Sequence, residues 1–229
     1  MAEDFWVGDP AIRVQFRQNA RARRLSLRVA RNGGGVTLTA PMGVSLAAAK
    51  GFAIDKQDWL RRTLDGQPEQ IVVAPGVQIP VEGRVLPVTV GPGKRGARVL
   101  DDRIEVAVAR PGPRIVAALK LLARDRLAAA SGRYAAQLGR SHGRITLRDT
   151  RSRWGSCGPT GDLMYSWRLI MAPTEVLEYV AAHEVAHLVE MNHSAAFWSV
   201  TAGLCPDYKR HRRWLRDHGA ELQRYLFTD

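Results

Sequence analysis

Three of the six histidines in this 229-residue chain fall within HEVAHLVEMNH, residues 183–193. In a helix, a spacing of four turns His187 only about 40° from His183 and raises it about 6 Å, so both rings can grip one ion from one face. Val176 and Val180 extend the same stripe toward the N-terminus, so that face turns inward. Glu184 sits beside the stripe, where it can reach a water on the ion without being a ligand. His193 breaks the pattern. On an unbroken helix its ring would stand about 9 Å above His187 and point away. To join the other two, the helix must stop and the chain must fold back. Met191-Asn192 is the expected place, because asparagine tolerates the left-handed conformation that ends helices.

Three neutral imidazoles around Zn²⁺ leave a fourth position open, which is the catalytic rather than the structural pattern. Zinc, favoured by ligand habit over manganese or nickel, would acidify a water. Glu184 would take the proton as a carbonyl is attacked and deliver it to the leaving group. The expected ligands are therefore His183, His187 and His193, and the expected acid/base is Glu184.

The rest of the chain supplies a scaffold. Residues 11–110 read as mostly β, with Leu25, Leu27 and Val29 alternating with polar neighbours and Val36, Leu38 and Ala40 continuing the period after RNGGG. Ser45 is placed to cap a helix running to about Asp65-Gly66. Short strands follow, including VLPVTV and RIEVAVA, separated by GPGKRG and an Asp101-Asp102 turn. PGP at 111–113 marks a boundary. Beyond it the spacing predicts one long helix, with a possible break near Ser131-Gly132. RITLRD (144–149) and LMYSWRLI (163–170) read as strands, and Pro173 opens the histidine-bearing helix. The expected organisation is a mostly β N-terminal region at 1–110 and a metal-binding α+β domain at 111–229.

The stretch RSRWGSC…GDLMYSWRLI…APTEVLEYVAAHEVAHLVEMNHSAAFW…CPDYKRHRRWL closely resembles the YgjP-like metallopeptidase family, a relative of the SprT-like and WLM zincins. The resemblance is strong from about Arg144 to Leu215 and looser before it. It implies an α+β zincin-like fold with an HExxH active-site helix, zinc on His183, His187 and His193, and Glu184 as catalytic acid/base. Ser166 stands where the family often has Asn before WRL. Glu190 replaces the glycine of the wider metzincin pattern, which puts the chain reversal a residue or two later.

Zincins commonly present a sheet edge along the cleft, with which an extended peptide can pair. Gly155 and Ser156 would let such a backbone approach, with Trp154 packing beneath or walling it. If the segment is extended, Arg151 and Arg153 project to one face, where they could hold a substrate carboxylate, a phosphate, or Asp149 and Asp162. Phe197 and Trp198 should pin the returning chain, and Tyr208 could supply a phenol to the oxyanion or simply pack. Cys157 reads as a small buried residue, with an inhibitory thiolate as the alternative. His142, His211 and His218 read as surface or capping residues.

Composition bounds the partners. Lys plus Arg outnumber Asp plus Glu 34 to 22, a net charge of +12. Residues 1–110 and 111–229 each hold 17 basic and 11 acidic side chains, so no basic tail stands apart. This balance suits polyanions or a solubilising surface equally. No zinc-finger, helix-turn-helix or RNA-recognition signature accompanies it. Acidic residues stand where a signal peptide would be basic, no apolar run is long enough to span a membrane, and two cysteines make no disulfide scaffold. The expected location is the cytosol.

The leading expectation is a zinc-dependent metallopeptidase acting on protein or peptide. The alternatives are a zinc-dependent nucleoside triphosphate pyrophosphohydrolase using the same metal centre, and a nucleic-acid-associated protease.

Overall fold

A computed structural model describes residues 2–30, 35–66, 68–92 and 96–228. The chain divides into two compact units, Met1–Gln70 and Ile71–Asp229. The expected boundary at 110–111 therefore lies inside the second unit. Physically, Ile79, Val81, Leu86, Val88, Ile104 and Val106 share one apolar cluster with Ile115, Leu119, Ala123 and Leu127. The β segment after residue 70 and the long helix are thus two sides of one core.

The first unit holds strands β1 (Ala2–Val7), β2 (Ile12–Gln18), β3 (Ser26–Val29) and β4 (Val36–Ala40), in the order β1-β2-β4-β3. The expected hairpin forms, pairing Leu27 with Leu38 and Val29 with Val36. The turns expected at RNGGG and GPGKRG fall largely outside the described residues. Ser45 accepts a hydrogen bond from the Ala48 N–H at 3.2 Å and caps α1 (Leu46–Asp55). The single helix expected there is two, since Lys56 leaves the ladder and α2 (Gln57–Asp65) follows. The break lets Ala49 and Ala53 of the first and Leu60 of the second enter one core with Phe5, Val14, Phe16 and Leu38.

The second unit opens with β5 (Ile71–Val72), then β6 (Gln78–Val81), β7 (Arg84–Val90), β8 (Ala97–Val99) and β9 (Ile104–Val106). The last four form a sheet in the order β6-β7-β9-β8. Helix α3 spans Pro111–Gln137 without interruption. Ser131, where a break was expected, is buried and its hydroxyl lies 2.9 Å from the Tyr165 hydroxyl, so packing holds the helix through Gly132. Next come β10 (Ile145–Arg148), β11 (Gly155–Cys157) and β12 (Leu163–Ser166), in the order β10-β12-β11 with β11 at the edge.

The strand expected to run through Ile170 stops at Ser166, and Trp167–Met171 form a 3₁₀ turn. All five turn residues are buried, which strand alternation cannot achieve. Arg168 sits inside this turn. It donates to Asp149 at 2.6 Å and to the carbonyls of Leu222 and Tyr225 at 2.9 and 3.1 Å, tying the C-terminal segment to the strand that precedes the site. Helices α4 (Thr174–Ala186), α5 (Ala195–Leu204) and α6 (Tyr208–Leu222) complete the unit, with β13 (Tyr225–Leu226) pairing with β5. Among the described residues, no helix is long and apolar enough to cross a membrane.

Candidate metal centre

Helix α4 is buried along most of its length, so Glu184 and His183 on it, and His187 at its C-cap, are carried into the interior. It ends at Ala186, earlier than expected. Residues 187–189 form a turn, closed by Glu190 N–H donating to the Ala186 carbonyl at 3.0 Å. No left-handed residue occurs at Met191 or Asn192; the helix-ending turn comes before them, and the chain bends further at both. The His187 ring does the work instead. Its Nδ1 lies 3.0 Å from the Glu190 carbonyl oxygen, which fixes Nδ1 as the protonated nitrogen and leaves Nε2 with its lone pair.

The reversal brings His193 back. Ser194 then caps α5 by accepting from the Phe197 N–H at 3.3 Å. Phe197 is fully buried, with its ring centre 4.4, 4.7 and 4.9 Å from those of His187, His193 and His183. Its ring anchors the returning segment, as expected. Trp198 stands beside the group, 5.8 Å from His183 and 5.7 Å from His193.

Each of the three imidazoles offers one nitrogen, and the three lie within 4.8 Å of one another, with His183 Nε2 3.0 Å from His193 Nε2. Burial holds the His183 ring down to about 3, helped by His187, His193 and Arg212. Burial also lowers His187. Both rings are therefore neutral near pH 7 and need shed no proton to bind a cation. Converging lone pairs on neutral rings, one fixed in tautomer from behind, fit a metal ion. Among the described residues, the buried His183 Nδ1 has no hydrogen-bond partner to fix that ring from behind.

Glu184 is only 5% exposed. Burial pushes its carboxyl up to about 8, while the Arg153 guanidinium and the Cys157 N–H favour the ionised form. The β11–β12 ladder explains that N–H. Trp154 accepts from Ser166 and Gly158 donates to Asp162, so residues 154, 156 and 158 face β12, and Cys157 faces outward toward Glu184. Gly155 completes the seat. A Cβ there would lie 2.6 Å from Glu184 Cγ and 2.7 Å from Cδ, so the carboxylate fills the space a side chain would need. The bare Cα of Gly155 thus admits the Glu184 carboxylate, while the Gly155 N–H and carbonyl point away from β12 along the outer edge of the strand.

A cleft of about 560 Å³ opens over the group. Ser152, Arg153, Gly155, Ser156 and Cys157 line one wall, and Glu184, the three histidines and Met191 line the rest. Of the expected substrate contacts, Arg153 faces this cleft. Arg151 is exposed and lies outside the lining, because residues 151–152 bend rather than run extended. Tyr208 also lies outside it, stacked on Trp198 with ring centres 5.2 Å apart. Asp149 takes Arg168, and Asp162 takes the Arg144 N–H at 2.8 Å. Cys157 and Cys205 are free thiols, and burial raises both. Trp154 packs against Gly219, consistent with a structural role. The buried Ser166 hydroxyl has no hydrogen-bond partner among the described residues. His211, expected to be a surface or capping residue, is 7% exposed, because it shares the inward face of α6 with Leu215 and Gly219.

A family model described as YgjP-like, metallopeptidase domain, matches residues 23–218. The chain belongs to the YgjP-like metallopeptidase family. The match includes part of the N-terminal unit, so the β region is part of the family's architecture. Among solved structures, the metallopeptidase zymogen of Pyrococcus abyssi abylysin aligns with 48% of this chain and 98% of its own, at 21% identity and a TM-score of 0.33. No curated protein matches. The three histidines singled out in the sequence do lie together, and Glu184 lines the same cleft. The Glu190 carbonyl, the Ser194 cap and the seat made by Gly155 and Cys157 were not expected from the sequence. Ser194, three residues before Phe197, is a capping signal visible in the sequence; the other contacts depend on tertiary geometry.

Proposed function

We propose that this YgjP-like protein is a zinc-dependent peptidase in which His183, His187 and His193 hold the ion and Glu184 is the general base and acid. The observation that carries the reading is the convergence of three imidazole nitrogens beside a buried, seated carboxylate on one cleft wall. When bound, zinc supplies Lewis acidity, bringing the pKa of water to about 7 and polarising a carbonyl.

The chain's own residues supply the rest. The Arg153 guanidinium and the Cys157 N–H draw Glu184 toward the ionised carboxylate, and a cation on the three imidazoles would add to that pull. In that form Glu184 accepts a proton from the attacking water and returns it to the departing amine nitrogen. The Cys157 N–H and the bare Cα of Gly155 fix the direction of that carboxylate, so little reorganisation accompanies proton transfer. Arg153 offers a guanidinium to the substrate within the cleft. The outward edge of β11 offers the Gly155 backbone and the Cys157 carbonyl to an extended peptide, its Cys157 N–H being already engaged. Tyr208 supports Trp198 rather than the reacting atoms.

Incubating the zinc-loaded chain with an unfolded protein, a peptide library and a nucleotide panel tests the proposal. The expected outcome is new peptide termini and no pyrophosphate release. Pyrophosphate from any nucleotide, with every peptide left intact, would transfer the same centre to phosphoanhydride hydrolysis.

A further inference from the structure

One face of α6 carries Lys209, Arg212, Arg213 and Arg216, spaced i, i+3, i+4 and i+7, and all four are exposed. Arg216 pairs with Asp217. Among the described residues, no ion pair joins a carboxylate to Lys209, Arg212, Arg213 or the adjacent Arg210, and the first turn contains no acidic residue. Lys209 and Arg210 lie in the first turn, where cations oppose the helix dipole with the N-cap Asp207 beside them, and neighbouring like charges along the face repel. Positive charge crowded here beyond what local carboxylates balance suits an external anionic partner.

The position of this face gives the partner a role. The Arg212 guanidinium lies 4.8 Å from the centre of the Trp198 ring, and Trp198 flanks His183 and His193. Lys209 Nζ lies 6.0 Å from the centre of the Tyr208 ring, which stacks on the same indole. Two of the four cations are therefore seated on the aromatic pair beside the metal ligands. One indole separates the Arg212 charge from the imidazoles. A guanidinium already held on an aromatic ring loses less freedom when an anion docks.

We propose that this face docks acidic polypeptide substrates, with carboxylates a few residues from the scissile bond lying along Lys209, Arg212 and Arg213 while the bond itself lies over the triad. The proposal rests on the peptidase reading and names its substrate class. The four positions span about 10 Å of helix, the length of roughly three residues of extended chain. A single-stranded nucleic acid would use open aromatic faces for its bases. Here Trp198 and Tyr208 are occupied by each other and by the two cations.

The test is binding to the full-length, zinc-loaded Glu184→Gln chain, which needs no turnover. Two labelled peptides differ only in a Glu-Glu-Asp-Glu tract against Gln-Gln-Asn-Gln. The acidic peptide should bind about tenfold more tightly, the sum of several modest exposed ion pairs. Lys209→Gln/Arg213→Gln should remove most of that advantage. Lys120→Gln/Arg124→Gln on α3, which costs the same charge elsewhere, should leave it intact. The advantage should also shrink as salt rises from about 0.05 to 0.5 M.

Equal affinity for the two peptides would overturn the proposal, as would equal losses in both double variants. Tighter binding of a single-stranded oligonucleotide that displaces the acidic peptide would assign the face to nucleic acid and also overturn it. Peptide cleavage by the wild-type chain reads the underlying function separately. Cleavage without a binding preference would sink this inference alone. A binding preference with no cleavage of any peptide would remove the peptidase reading and the substrate role of this face together.

Discussion

Glu184→Gln is expected to lower kcat/KM on peptide by about a hundred- to ten-thousandfold, the usual contribution of a positioned general base. Bound zinc and the folded state should both persist. Glutamine keeps the shape of the side chain in a space closed by Gly155, so packing is preserved. It also removes an ionisable group that burial already disfavours in its charged form, so folding does not suffer from losing that charge. The lost capacity is specific, because an amide cannot take a proton from water at neutral pH. Kinetics, metal analysis and thermal unfolding on the same preparation check all three points. Retained turnover with contaminants excluded would remove Glu184 from the chemistry.

The contrast between Glu184 and its seat shows how far the sequence can be read. The four-residue spacing of His183 and His187, and the need for a reversal before His193, follow from helix geometry alone, and the three nitrogens do converge. The way the chain reverses was not legible. Asn192 suggested a left-handed cap, but the turn is made by residues 187–190, with a histidine ring bonded to its last carbonyl. A side-chain-to-carbonyl bond that closes a turn has no signature in residue spacing. Gly155 was visible as a glycine beside the cleft, but which neighbour occupies its missing side chain is a matter of tertiary packing. The same holds for WRLI, whose apolar run resembles a strand and whose uniform burial selects a 3₁₀ turn. PGP was a true helix start, opening α3. It was not a boundary between compact units, because the strands before it share a core with the helix after it.

His193→Ala should have the second large effect, on metal rather than on fold. His193 is exposed, so trimming it leaves the metal-free protein about as stable as the parent. The parent should gain roughly 2.7 kcal/mol when free zinc reaches about a hundred times its Kd, because the ion binds only the assembled site. The variant should show almost none of that gain. Its affinity should fall by more than the 10- to 100-fold typical of changes outside the ligand set. Thermal unfolding with and without zinc measures the difference directly. An unchanged zinc-dependent shift in His193→Ala would mean that another group completes the site and that the chain reversal serves packing alone.

The central claim is that three imidazoles, and no thiolate, gather one zinc ion. X-ray absorption at the zinc edge of the protein, purified without chelator, tests it most directly. One zinc per chain is expected, with three histidine nitrogens and one oxygen at about 2.0–2.1 Å. A sulfur scatterer at about 2.3 Å, which would place Cys157 on the ion, or the absence of any bound transition metal, would contradict it.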